Sequence, residues 1–536
     1  MKTINRICFV SLGLLLCSLP MGAQIEPTVE VSREYDVKLL SLDKPFIGTS
    51  VPDSLRSFHI NMDYYTVDKP YGDLYDFSPH TTYLLAKRPE ARVPVLFFRA
   101  GAGYPFYADA AFCIETPVKR GFSLDAYLSH HSCSPSFDSL GGVGETRFMK
   151  NEAAVRCRYG WKGGEADLDL TYSGDLFGYR DTLYTKSVSN RFGAKVNVRS
   201  VGYPSNVCYD ITASYGYSCG NIDAGTLFKG AFSEQNVDFS ALFGGLFDNN
   251  RFLLSVESRN LLSGYVAGLM SVAPYYRYLN NVFDIKAGIR LSSKYSHGDT
   301  LNHQNRISYI FPLLDVGLRV IPDVFWLEAS FDGDNSLGSF TEMRSENPWI
   351  STGLHLDFST PYTAKLEGRL LIADRLSLTA FASYSIIKNM RFSVVDDGLH
   401  LQDYIYADAK MASAGADAVW NSKGFSAKAY YRYNDCRRDD GDVPYLIPEK
   451  EWGGNVRYSY IGRIVANLYL DHRDYVAFDG GTLDPIWDLG CTVGYVFQSK
   501  FSLFFKAGNI LGKRNEYLPW SVSQPRNFGI GAAYGF

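Results

Sequence analysis

Adjacent histidines, Asp-rich stretches and Arg–aromatic clusters are where this chain could do chemistry. His130 and His131 are neighbours in a segment that alternates polar and apolar residues. On a strand, neighbours point to opposite faces, so the two imidazoles do not serve one site by simple spacing. Asp332-Gly333-Asp334-Asn335 and Asp439-Asp440-Gly441-Asp442 offer the oxygen ligands calcium takes, but neither has a full EF-hand order. No His-Glu-x-x-His occurs. The glycines of Gly101–Gly103 and Gly529–Gly535 lie in strand-like segments, not at strand-to-helix turns, so they are not phosphate loops. No catalytic residue, metal site or cofactor is assigned, and the chain reads as a non-enzyme. Recognition by loops remains. Arg344 and Trp349 share one polar stretch, Arg437, Arg438 and Tyr445 a second, and Tyr517, Trp520 and Arg526 a third. Aromatics plus Arg suit glycan or peptide capture, by stacking and charge-assisted hydrogen bonds. The same residue types also form aromatic girdles at a membrane surface.

The elements that must hold these loops have period two. From Phe425 the odd positions read Phe, Ala, Ala, Tyr, Tyr and the even ones Ser, Lys, Tyr, Arg, Asn. From Phe283 one face is Phe283, Ile285, Ala287, Ile289, Leu291 and the other Asp284, Lys286, Gly288, Arg290, Ser292. Glu165, Asp167 and Asp169 interleave with Ala166, Leu168 and Leu170, and Lys365, Glu367 and Arg369 with Leu366, Gly368 and Leu370. Side chains alternate faces along a strand, so each segment has one apolar and one polar face. The segments run to about ten residues or more, enough to cross a bilayer at a tilt. Very short connections, such as Gly163-Gly164, Asn249-Asn250, Pro322-Asp323 and Gln498-Ser499, alternate with longer polar ones. The latter are Cys133–Glu145, Ser296–Asn305, Asp334–Ser359, Lys388–Gln402, Cys436–Lys450, Tyr475–Leu483 and Leu511–Arg526. That asymmetry is typical of an outer-membrane barrel with its turns in the periplasm. Ten short turns, a first strand near Val95–Gly103 and a last near Asn527–Phe536 predict an all-β transmembrane antiparallel barrel of about 22 strands over 95–536. Lys365, Glu367, Arg369, Lys286, Arg290, Lys195, Arg199, Asp167 and Asp169 are expected to line its lumen.

Composition agrees. Aromatic residues make up 15% of the chain and charged residues 21%, which excludes a disordered chain. A net charge of -4 gives no drive toward nucleic acid. Lys2 and Arg6, then the apolar Ile7–Leu19, then Ala23 predict a signal peptide over residues 1–23. Cys113, Cys133, Cys157, Cys208, Cys219, Cys436 and Cys491 remain after its removal, and no pair has a framework spacing. Residues 24–94 carry seven scattered prolines and read as a periplasmic arm, with a partial lumen segment as the alternative.

The chain stops on Phe536, with Tyr534 two before it and Gly531 three before that. This ending resembles the C-terminal signal that hands outer-membrane proteins to the barrel assembly machinery. Ala507-Gly508-Asn509-Ile510-Leu511, Tyr517, Trp520 and Arg526-Asn527-Phe528 resemble the last extracellular loop and strand of TonB-dependent receptors. Phe98–Tyr104 and Tyr127–Ser132 look like the opening strands of plugless, receptor-like barrels of Bacteroidetes. The resemblance implies uptake or passage of a solute through the outer membrane, with a periplasmic or plug-supplying partner protein. Residues 24–94 are too few for that family's N-terminal plug domain, so energised import is not implied. The alternative is a structural or assembly module of the envelope whose arm binds a periplasmic partner.

Overall fold

The computed structural model describes residues 96–536, apart from 120, 135–144, 181–183, 202–206, 225–227, 264–265, 298–306, 353–355, 374, 397–400, 462, 479–480, 498–499, 520 and 536. The predicted signal peptide, the 24–94 segment, Trp520 and Phe536 lie outside the described residues. In chain order the strands are β1 Leu96–Tyr104, β2 Tyr107–Glu115, β3 Phe122–Cys133, β4 Glu145–Trp161, β5 Gly164–Arg180, β6 Tyr184–Ser200, β7 Val207–Asp223, β8 Lys229–Phe247 and β9 Asn250–Leu262. They continue as β10 Val266–Leu279, β11 Phe283–His297, β12 Ile307–Ile321, β13 Phe325–Gly333, β14 Ser336–Leu337, β15 Phe358–Ile372, β16 Leu376–Asp396, β17 Leu401–Ser422 and β18 Phe425–Arg438. The last are β19 Lys450–Tyr460, β20 Ile464–Arg473, β21 Val476–Phe478, β22 Gly481–Leu483, β23 Ile486–Phe497, β24 Phe501–Gly508, β25 Glu516–Leu518, β26 Ser521–Val522 and β27 Asn527–Gly535. A helix, α1 Phe340–Glu346, lies between β14 and β15.

Twenty-two of these strands pair antiparallel with their neighbours, and β27 pairs with β1 from Phe97–Gly535 to Tyr104–Phe528. The sheet is therefore a closed ring. The short strand β14 is a spur on β15, and β21–β22 and β25–β26 are hairpins inside loops. Closure leaves no edge, so backbone groups are satisfied without water.

Ten connections of two to six residues lie at one end, each where the sequence places a short turn. In the β17–β18 turn the backbone must swing to positive φ at Gly424, where a Cβ would sit 2.5 Å from the Ser459 carbonyl oxygen. The connections at the other end run up to the long loop Asp334–Asp357. By the usual orientation of such barrels the short turns face the periplasm.

The two faces of each strand separate as the alternation demands. Leu168, Leu170, Val196, Ile289, Leu291, Leu366, Tyr431, Val456 and Leu503 are exposed on the outside. Their neighbours point into the lumen, where Arg156 pairs across strands with Asp169 at 2.5 Å, Arg158 with Asp167 at 2.8 Å and Lys286 with Asp315 at 3.1 Å, and Glu367 pairs along β15 with both Lys365 and Arg369. Rings on the outer face gather near the short turns, with Tyr159 stacked on Trp161 and Phe497 against Phe501. At the other end Trp452, His472 and Trp487 cluster on the outer face, 4.2 to 5.5 Å between centroids. These are two aromatic girdles around an apolar belt.

One expectation is corrected. Lys388–Gln402 is not an open loop. Strand β16 runs to Asp396 and β17 begins at Leu401, with a bulge between Ile387 and Met390. Asn389 takes a positive φ of 58° there, and its backbone N–H donates to Asp408. The segment is polar because the hairpin rises past the membrane, yet its backbone stays paired. Cys133 and Cys436, the first residues of two longer connections in the sequence reading, are the last residue of β3 and a residue of β18.

Candidate functional site at the barrel mouth

The Asp334–Asp357 loop does not project outward. It folds into the mouth. Ser339 caps α1, its hydroxyl accepting from the Glu342 N–H while the Glu342 carboxylate accepts from the Ser339 N–H. This capping box forms the helix locally. Phe340, Met343, Ile350 and Leu356 make one buried cluster, with Phe232 of β8 and Tyr404 of β17 packed against it. Trp349 and Leu518 form a second, with Phe177 of β5 and Leu446 of the β18–β19 loop against it. Strands β5 and β18 lie on opposite sides of the ring, so the loop spans the lumen.

Polar side chains fix its position. Glu234 on the luminal face of β8 is 2% exposed and accepts three hydrogen bonds: Phe340 N–H at 2.8 Å, Thr341 N–H at 3.1 Å and Thr341 Oγ1 at 2.6 Å. Arg259 of β9 reaches the Leu337 carbonyl at 3.2 Å and Glu342 at 3.2 Å. Arg391 of β16 pairs with Glu346 at 2.6 Å. Gln402 of β17 forms a parallel bridge with Ile350, donating its N–H to the Trp349 carbonyl at 3.0 Å and accepting from Ser351 N–H at 2.9 Å. Neighbouring loops join this cover. The Leu446 N–H donates to the Ala477 carbonyl at 2.9 Å, and Trp349 Nε1 donates to Ser521 Oγ at 3.4 Å.

The site residues chosen from sequence fall in different places. Arg344 and Trp349 are buried, at 5% and 4% exposure, within the loop's own packing. Arg344 Nη2 donates to Ser187 Oγ of β6, and its Cζ lies 4.5 Å from the Phe232 ring centroid. Burial, then Arg191, push its pKa down to about 9, against Asp175, and the guanidinium stays charged at neutral pH. A buried charge stripped of its partner costs about 3–5 kcal/mol. Arg437 and Arg438 end β18 rather than lying in a loop. Arg437 is exposed and pairs with Asp435 at 2.8 Å. Arg438 is buried over Phe392 and pairs with Asp440 at 2.5 Å and Asp442 at 3.3 Å. Tyr445 is half-buried beside Leu446. Tyr517 lies in β25 with Arg473 Cζ 5.6 Å from its ring centroid. Arg526 is exposed and donates to the Leu511 carbonyl at 3.3 Å. The structure thus gathers Arg344 and Trp349 into the cover and leaves Arg437 and Arg526 outward.

The remaining candidates are accounted for by neighbours. Asp332 and Asp334 both pair with Arg290, at 3.0 and 3.3 Å. Asp439 pairs with Lys410 at 2.9 Å. Among the described residues no three His, Cys, Asp or Glu gather as a metal site. His130 meets Asn151 at 2.7 Å and Ser132 at 3.0 Å, and His131 is buried between Tyr107 and Phe148. At the seam, Tyr534 shares a row with Phe98 and Phe501, both exposed outward. Gly531 faces inward, where a Cβ would lie 2.2 Å from the Phe504 ring and 2.5 Å from the Ala100 carbonyl. Glu234, Arg191, Arg259, Arg391 and Gln402 were not singled out in the sequence, where they look like any polar residue of a luminal face.

No protein-family model matches this chain, and no curated protein sequence does. Solved structures do match. A copper transporter, OprC, superposes with a TM-score of 0.66 at 12% identity, over 82% of this chain and 80% of its own. The FrpB iron transporter from Neisseria meningitidis gives 0.63 at 9%, over 82% and 81%. The siderophore receptor PiuA from Acinetobacter baumannii gives 0.62 at 11%, over 82% and 81%. At such identities the likeness is one of fold. With its closed ring and apolar belt, this is a barrel of the outer membrane.

Proposed function

We propose that the protein is a receptor-like outer-membrane barrel for uptake or passage of a solute, with its mouth closed by the inward-folded Asp334–Asp357 loop. The observation that carries this reading is the loop itself, spanning a lumen lined by ion pairs. A barrel of 22 strands is wide unless something fills it, so a built cover implies that passage is controlled. The structural neighbours' printed descriptions, as copper transporter, iron transporter and siderophore receptor, support transport as the class. The TonB-dependent receptor resemblance supports a partner on the periplasmic side. We assign the 24–94 segment to that contact as a periplasmic arm, the barrel assembly machinery to the closing strand, and ligand contact to Arg437 at the end of β18 and to Tyr445, Tyr517, Trp520 and Arg526 on the loops.

Single-channel recording tests the reading. The whole protein should conduct little. Replacing 338–356 by a short Gly-Ser linker should raise conductance severalfold, and removing 24–94 should change it little. Silence of the loop-deleted barrel, with and without 24–94, would rule out a conduit.

A further inference from the structure

Two guanidiniums lie where α1 docks, and each keeps N–H groups with no acceptor among the described residues. Arg344 is 5% exposed, and its Nε and Nη1 have no partner among the described residues. Arg191 rises from β6, its Nη2 taken by Asp175 and by Ser173 at 3.2 Å. Its Nε is buried and likewise has no partner among the described residues. Ser187, which holds Arg344 Nη2, lies four residues from Arg191 on the same face of β6. Asp175, the carboxylate acting on Arg344, is already engaged by Arg191. Buried N–H groups almost always find acceptors, and an unmodified exception calls for a bound ion or water. Two like charges with three orphaned donors call for negative charge.

Space lies one luminal position further along the wall. A cavity of about 440 Å³ opens along the same strands, lined by Gly193 on β6, Gly216 on β7 and Asn236 on β8. Gly193 is two residues along the luminal face from Arg191, and Asn236 two from Glu234, so the cavity lies one luminal position from the residues that meet the helix. On the other side Phe232 and Phe340 pack at 4.8 Å and shield the guanidinium of Arg344 from water.

We propose that this junction is an oxyanion site, which takes a carboxylate or a phosphate group on Nε and Nη1 of Arg344 and Nε of Arg191. The Nε edge of a guanidinium matches two oxygens of either group. The proposal deepens the transport reading and rests on it for one point only, that the anion is carried by the solute beneath the cover. It also gives the loop a reason to respond: an anion would bind part of its charge to the loop and part to the wall.

The test is isothermal titration of the purified full-length barrel with inorganic phosphate and, separately, with acetate. Saturable binding of at least one probe is expected, and the probe that binds identifies the group. Arg344→Gln and Arg191→Gln should each weaken it by about tenfold or more. Arg375→Gln removes the same charge from a turn at the far end of the barrel and should bind like the wild type. Arg191 sits on a strand outside the loop, so its variant reads the site even if Arg344→Gln releases the helix. Binding of neither probe, or equal binding by all three variants, would overturn the proposal. Arginine-dependent binding in a barrel that never conducts would keep the site and remove the transport reading.

Discussion

Glu234 is the residue on which the loop's position turns. Its carboxylate takes two backbone N–H groups and a hydroxyl from one turn of α1. Glu234→Ala leaves these donors without that acceptor, at about 1–3 kcal/mol. The five large apolar side chains the loop buries, Phe340, Met343, Trp349, Ile350 and Leu356, contribute roughly 10 kcal/mol as an upper bound. The apolar term wins, so the variant should remain mostly docked while its open population rises roughly five- to a hundredfold. Trypsin should then cut after Arg344 correspondingly faster, with the barrel's gel migration unchanged. An unchanged cutting rate would remove Glu234 as the lock. Arg437, an exposed partner of Asp435, should matter little to the fold, since such pairs contribute about 0–1 kcal/mol. At this scale the sequence was legible by type and blind to direction. It picked Arg344 and Trp349 as chemically capable, but Arg and Trp suit a ligand-facing loop and a packed one equally.

The strands were legible because a two-residue period fixes both their existence and their lumen-facing sets. Lys365, Glu367 and Arg369 lie where the alternation puts them, as do Asp167 and Asp169. Loops have no such rule. Polarity made Lys388–Gln402 look open when the β16–β17 hairpin simply continues. The fold of Asp334–Asp357 did leave one local trace, Ser339 with Glu342 three residues on, which is the spacing of a capping box. Its contacts with β5, β8 and β17 are long-range, and no local pattern encodes them. The closing strand makes a prediction of its own. Gly531→Val would drive side-chain atoms into the Phe504 ring and the Ala100 carbonyl. Its assembled fraction should fall well below that of Tyr430→Ser, a luminal change that loses one 2.6 Å hydrogen bond to Asp471. Comparable amounts of the two folded barrels would show that the seam tolerates bulk.

As a whole the molecule should fractionate with outer membranes and migrate faster on gels unless boiled. The ground is a ring of 22 strands with every edge paired and apolar side chains outward. Recovery in the soluble periplasm would refute this. The ring also fixes where force enters. Antiparallel pairing of β1 with β27 puts Leu96 and Gly535 at the same rim, on the joint that closes last in sequence. A partner tugging on the chain before Leu96 would pull β1 along its own axis. The eight residue pairs of that joint, from Phe97–Gly535 to Tyr104–Phe528, would then carry the load together as a lap joint in shear instead of parting one by one like a zipper. The barrel is thus built to be held by its leading end without being peeled open.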